Sequence, residues 1–146
     1  MLVDFQQAQA DLVASPELCR RVRADGGELD RRYRLSPRER ARLLGVVNDP
    51  GMAHSCTLYR ANRLAPLALN LPAVCRALAG ELPAVLDDYW AAHPSTDVHF
   101  LVESERFCAF LGAELGRGRS LPDGVGAALD AERPVLALRL AASSTG

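Results

Sequence analysis

Lysine is absent from this sequence, and all 17 basic residues are arginine. A GC-rich coding bias explains this most simply, so the arginines are not read as separate functional groups. No stretch is apolar over the roughly 20 residues that a transmembrane helix needs. The first residues, Met1–Gln7, have neither the basic nor the apolar region of a secretory signal. We therefore expect a cytoplasmic protein that does not bind a membrane.

The motifs of common catalytic and cofactor sites are also missing. Gly116 and Gly118 are followed by no third glycine and preceded by no predicted strand, so they do not form a dinucleotide-binding fingerprint. Neither Gly-x-Ser-x-Gly nor His-Glu-x-x-His occurs. We therefore expect no catalytic residue, no metal ligand and no cofactor in this chain.

Cysteines and histidines are few and scattered. The cysteines are Cys19, Cys56, Cys75 and Cys108, and no Cys-x-x-Cys pair occurs. We interpret them as small buried hydrophobic residues in a reducing compartment. His54 lies two residues before Cys56, which puts the two side chains on different faces of a helix. Structural zinc sites usually have paired ligands at close spacing, so a metal site here is only an alternative.

Four carboxylates form two close pairs in the sequence, Asp87 with Asp88 and Glu103 with Glu105. Residues so close on a helix point in different directions, so neither pair has the pattern of a catalytic dyad. We interpret all four as parts of solvated helix faces, and His99 as part of a solvated loop.

Proline, glycine and capping residues divide the chain into short helices, with no convincing alternating strand. The predicted helices cover about residues 2–14, 16–24, 28–33, 37–47, 53–71, 72–79, 83–92, 101–115 and 123–132. The clearest start is Ser36-Pro37-Arg38-Glu39, a capping box with proline at the first helical position. Pro66 predicts a kink or break, and Gly80 a helix end. Residues 134–142 are apolar at nearly alternate positions and predict either a last helical turn or a lone strand.

The expected fold is an all-α compact bundle of about seven to eight short helices, with one short C-terminal strand as an option. We predict an N-terminal helical subdomain at 1–50, a helical domain at 51–116 and a short extension at 117–146. Charge is uneven along the chain. Residues 1–76 carry twelve arginines against eight acidic residues, and residues 77–146 carry five against ten. Such polarity can steer a charged partner.

One polar cluster stands ahead of a leucine stripe, at Tyr59, Arg60, Asn62 and Arg63. Arginine forks match carboxylates bidentately, so this cluster can bind a peptide carboxylate or backbone, with Arg60 and Arg63 as anion anchors. The alternative is a buried tyrosine–arginine network that ties helices together. We hold both interpretations open from the sequence.

Five motifs follow one another in order from Tyr59 to about Gly112: Tyr59-Arg60-x-Asn62-Arg63, Leu71-Pro72-Ala73-Val74, Leu78-Ala79-Gly80-Glu81, Tyr89-x-x-x-His93-Pro94 and Phe107-x-x-Phe110-Leu111. This order resembles the N-terminal helical domain of a bacterial family formerly classed as DNA-binding. The family includes the partner proteins of methanobactin and bufferin-type pathways. The resemblance implies a protein that helps present a ribosomally made precursor peptide to a multinuclear non-haem iron oxidative enzyme. Iron is then expected only in that enzyme.

A second, weaker similarity concerns residues 9–47, with Leu18-x-x-x-Val22 followed by Tyr33-x-Leu35-Ser36-x-x-Glu39-x-x-x-Leu43. This pattern is similar to the small helical subunit of ring-opening extradiol dioxygenases. It again implies an accessory role, as a non-catalytic subunit of an enzyme complex.

Three functions are therefore weighed. The first is an accessory protein that binds a precursor peptide through Tyr59, Arg60, Asn62 and Arg63 and docks on an oxidative enzyme. The second is a DNA-binding transcriptional regulator, whose binding would weaken steeply with salt. The third is a small metal-binding protein or enzyme subunit that uses His54, Cys56 or His99.

Overall fold

The computed structural model of the protein describes residues 2–95, 97 and 99–145. Over these residues the chain forms helices and no strand: α1 (Leu2–Ala14), α2 (Pro16–Ala24), α3 (Gly27–Arg32), α4 (Pro37–Asn48), α5 (Gly51–Asn70), α6 (Pro72–Leu78), a 3-10 turn (Ala79–Glu81), α7 (Leu82–Ala92), α8 (Phe100–Gly116) and α9 (Val125–Ser143). The predicted all-α class is confirmed.

Contacts divide the chain into two compact units, Met1–Asn62 and Arg63–Gly146. The division lies inside α5, whereas the sequence predicted boundaries at residues 50 and 116. The region predicted as a C-terminal extension contains α9, which packs against α8 and α6 within the second unit.

The first unit has its own hydrophobic core, to which α1 to α5 contribute. Its fully buried members include Leu12, Leu29, Leu43 and Val47. Its helix starts follow local sequence rules. The Ser36 hydroxyl accepts a hydrogen bond from the Glu39 N–H at 3.3 Å, and the Glu39 carboxylate accepts one from the Ser36 N–H at 2.8 Å. The predicted capping box is confirmed, because both of its reciprocal bonds are present.

Helix α5 is continuous through Pro66. The predicted break at this proline is therefore not observed, although Pro66 has no N–H to donate to the Asn62 carbonyl. Pro66 is buried, so packing holds a helix that loses one backbone hydrogen bond. The helix ends instead at Asn70, because Pro72 disfavours helical geometry at Leu71, where φ is −131° and ψ is 53°.

The second unit has a core centred on Tyr89 and Phe107, whose rings meet edge to face at 5.1 Å between centroids. Helix α9 supplies Val125, Leu129 and Leu136 to this core. The alternative of a strand at 134–142 is wrong. The apparent alternation arose because α9 is apolar on its outer side too, where Val135 and Leu138 are exposed.

Glu132 fixes α9 to the start of α6. Its carboxylate accepts hydrogen bonds from the backbone N–H groups of Ala73 at 2.8 Å and Val74 at 2.9 Å. These are among the first N–H groups of α6, which have no partner inside the helix. A side chain 58 residues further along therefore replaces the usual local cap.

Helix α6 ends at an unusual backbone conformation. Ala79 has φ 47° and ψ −122°, and it is the only described residue other than glycine with a positive φ. The sequence predicted that Gly80 would take the left-handed position. The chain reverses one residue earlier, directly after Leu78, the last buried residue of α6. Ala79 therefore carries strain that glycine would not.

No single helix in the described part of the chain is both long and apolar enough to cross a membrane. Only α5 taken together with the segment Pro72–Ala92 reaches that length and composition, and the two are separated by a sharp bend.

Candidate functional site

The four residues predicted to form a binding cluster occupy neighbouring turns of α5 but differ in exposure. Asn62 is exposed, and Tyr59 and Arg60 are half-buried. Arg63 is only 3% exposed. The prediction that Arg63 is an exposed anion anchor is therefore wrong, because its side chain lies inside the second unit.

Arg63 is held by a buried carboxylate and two aromatic rings. Its Nη2 donates to Glu103 Oε1 at 2.9 Å, and Glu103 is fully buried. The guanidinium carbon lies 5.8 Å from the ring centroid of Tyr89 and 5.6 Å from that of Trp90, within cation–π range. For Arg63, the interpretation as part of a buried network that ties helices together is correct.

The prediction that the Glu103 side chain is solvated is also wrong, because this side chain is fully buried. Its Oε2 accepts a hydrogen bond from the Asp97 N–H at 3.3 Å and lies 3.6 Å from Arg106 Nη1. The Tyr89 hydroxyl donates to the Glu103 backbone carbonyl at 3.4 Å. Burial raises the pKa of Tyr89 well above its usual value, so the phenol stays a neutral donor. One sequence signal was available: Glu103 lies one helical turn before the buried Phe107.

An open groove of about 390 Å³ runs between α8 and α9 in the second unit. Helix α8 lines it with Glu105, Gly112 and Leu115. Helix α9 lines it with Gly126, Leu129, Asp130, Arg133, Pro134 and Ala137. The sequence predicted neither this groove nor a role for its residues.

The groove is lined by apolar residues, which we call its floor, and by charged residues, which we call its rim. Arg133 donates to a single carboxylate oxygen, Glu105 Oε1, through Nη2 at 2.7 Å and Nε at 3.0 Å. This bond raises the pKa of Arg133, which remains charged. The other oxygen, Glu105 Oε2, is buried and accepts no hydrogen bond from the residues that the structure describes. Asp130 is exposed at the rim.

Two glycines leave space in the groove. A Cβ atom at Gly126 would meet nothing within 4 Å, and one at Gly112 would lie 3.7 Å from Arg133 Nη1, an ordinary contact. Neither glycine has a positive φ. A Cβ atom at either position would therefore fit beside the groove without a steric clash or backbone strain.

The cysteines behave largely as predicted. Cys19, Cys56 and Cys108 are buried, and Cys75 is half-buried. Burial raises the pKa of Cys19 and Cys75 to about 11 and that of Cys108 to about 12. These three thiols are therefore protonated at neutral pH and are poor nucleophiles. His54 and His99 are exposed. Among residues 2–95, 97 and 99–145, no three His, Cys, Asp or Glu side chains are grouped to hold a metal ion.

Comparison with known proteins finds no matching family model, no similar curated protein and no similar solved structure. The resemblance to the partner-protein family consequently remains a prediction from the motifs of the sequence.

Proposed function

We propose that this chain is a non-catalytic accessory protein that binds a precursor peptide and docks on a multinuclear non-haem iron oxidative enzyme. The motif order from Tyr59 to Gly112 supports the choice of pathway. The open groove between α8 and α9 carries the proposal that the bound molecule is a peptide.

The groove has the mixture of surfaces that peptide side chains need. Leu115, Leu129 and Ala137 offer apolar contact, while Glu105 and Arg133 supply polar groups in the same lining. Binding sites are usually concave and mainly apolar, with a few polar groups that fix orientation. Grooves on helical proteins commonly accept the apolar side chains of a peptide.

We assign docking on the enzyme to the residues of the predicted cluster that remain accessible. Tyr59, Arg60 and Asn62 lie on α5 with at least part of each side chain accessible. Arg63 supports that helix from inside and is not itself a contact. In this role the chain holds no cofactor, and the iron belongs to the enzyme. The role also implies a cytoplasmic location, because precursor peptides are made by ribosomes there.

The alternative of a DNA-binding regulator has less support than peptide binding, because most arginines of the first unit that lie on α2, α3 and α4 are paired. Five of the eight arginines on α2, α3 and α4 form a described ion pair with a carboxylate: Arg20, Arg21, Arg31, Arg32 and Arg40. Arginines neutralised in this way contribute less to phosphate binding, which depends on the release of counterions by free cations.

The test is affinity purification of the tagged protein from its native host, followed by mass spectrometry and iron analysis. We expect a small peptide and an iron-containing oxidative enzyme. The Gly126→Leu variant should lose the peptide and keep the enzyme, whereas Asn62→Arg should keep the peptide and lose the enzyme. Recovery of neither partner, together with duplex DNA binding at low salt, would replace this proposal by the regulator.

A further inference from the structure

We propose that the groove between α8 and α9 selects an apolar peptide segment that carries one basic side chain, which pairs with Asp130. This inference rests on the proposed function, since it names the kind of peptide that the groove accepts. It concerns residues that lie outside the predicted cluster on α5.

The first support is the charge of the rim. The groove is lined by two carboxylates, those of Glu105 and Asp130, and by one guanidinium, that of Arg133. Arg133 directs its described hydrogen bonds to Glu105, whereas Asp130 forms no ion pair with any residue that the structure describes. The groove therefore has one carboxylate in excess, and an incoming cation is attracted to it.

The second support is the geometry of Glu105. Arg133 uses two donors on Oε1, and Oε2 is left buried without a donor. That oxygen is closed to solvent and Arg133 neutralises the Glu105 charge, so the carboxylate left open to an incoming donor is that of Asp130. Arginine and lysine side chains supply such donors and carry the charge that Asp130 complements.

An acidic peptide side chain fits less well. It would have to approach Arg133, which is already bound to Glu105, and its carboxylate would then lie beside the Glu105 carboxylate. Like charges at such distances repel each other. A neutral side chain would leave Asp130 uncompensated.

The third support is the floor, which sets the neighbours of the basic residue. Leu115, Leu129, Pro134 and Ala137 surround the space between the two helices. Residues that flank the basic side chain are therefore apolar. Long basic side chains also suit this arrangement, because their aliphatic stems pack on apolar surface while the charged end stays at the rim.

The test uses three labelled synthetic peptides of alternating leucine and alanine, with arginine, glutamine or glutamate at the centre. Each is titrated into the full-length, isotope-labelled protein and followed by amide NMR and fluorescence anisotropy. We expect the arginine peptide to bind about tenfold more tightly than the glutamate peptide, because a charge-assisted bond is gained or lost. The amide signals of Gly112 and Gly126 should shift, and that of Gly80 should not.

Two variants and one control define the site. Asp130→Asn should remove most of the preference for arginine, whereas Asp123→Asn, in the linker before α9, should leave it unchanged. Gly126→Leu should abolish binding of every peptide. Equal binding of the arginine and glutamate peptides, no binding at all, or shifts confined to residues outside the groove would each overturn the inference.

Failure of this inference and failure of the proposed function are distinguishable. If the native peptide is recovered from the host but binds Asp130→Asn and Gly126→Leu normally, the accessory role stands and the groove assignment falls. If no peptide is recovered from the host while the arginine peptide binds the groove, the selectivity stands and the pathway assignment falls.

Discussion

Replacing Arg63 by methionine removes a buried guanidinium and leaves the Glu103 carboxylate without its closest cation. Both side chains are almost fully buried, at 3% and 0% exposure, and their oxygen–nitrogen distance is 2.9 Å. Loss of one partner from such a pair typically costs about 3–5 kcal/mol, because the remaining charge is buried and uncompensated. Arg106, 3.6 Å from the other Glu103 oxygen, compensates in part. We therefore expect Arg63→Met to lower the free energy of unfolding by about 3 kcal/mol, the lower end of that range.

The assay is urea unfolding followed by circular dichroism, with Asn62→Ala as the matched control on the same helix. Asn62 is exposed, so its replacement should change the free energy of unfolding by less than about 0.5 kcal/mol. The double variant Arg63→Met with Glu103→Leu should recover much of the loss, since no charge is left buried. If Arg63→Met unfolds at the same urea concentration as the wild type, Arg63 is not a buried structural residue and our account of it is wrong.

Three further predictions concern stability and thiol chemistry. Ala79→Gly should raise the free energy of unfolding by up to about 1 kcal/mol, because glycine accepts φ 47° without strain. Gly80→Ala serves as the control in the same urea series. A lower free energy of unfolding in Ala79→Gly than in the wild type would refute the strain at Ala79. Glu132→Ala should lower the free energy of unfolding by about 1–2 kcal/mol, as the loss of a helix cap does. Hydrogen exchange at the Ala73 and Val74 amides, which donate to Glu132, should become faster in this variant. Because burial raises the pKa of Cys108 from 9.0 to about 12, its contribution to stability is complete below pH 9 and is lost as the pH rises towards 12. Urea unfolding at pH 7, 9 and 10.5 should therefore show a free energy of unfolding that falls with pH, and falls less in Cys108→Ala than in the wild type. An equal fall in both proteins would contradict the burial of Cys108.

Local rules predicted the helices well because their causes are local. Ser36 and Glu39 specify a helix start within four residues, and the structure has both of the expected bonds. Pro72 ended α5 for the same reason, through its effect on the residue before it. These rules failed at the end of α6. The helix ends directly after the buried Leu78, so Ala79 takes the positive φ that was predicted for Gly80.

The candidate site could not be predicted in the same way, because distant residues form it. Glu105 and Arg133 are 28 positions apart and meet only when α8 and α9 pack together. Arg63 and Glu103 are 40 positions apart, and neither side chain alone indicates a buried partner. The sequence correctly raised a buried arginine network as one alternative, but it suggested the wrong tyrosine, Tyr59 in place of Tyr89.

The most direct test of the central claim is calorimetric titration of the peptide recovered from the native host into wild-type protein and Gly126→Leu. A Cβ atom at this position meets nothing within 4 Å, and leucine favours helical geometry more than glycine does, so the fold should persist and circular dichroism should be unchanged. We predict saturable binding to the wild type and none to the folded variant. Equal affinity for both proteins would contradict the groove between α8 and α9 as the peptide site.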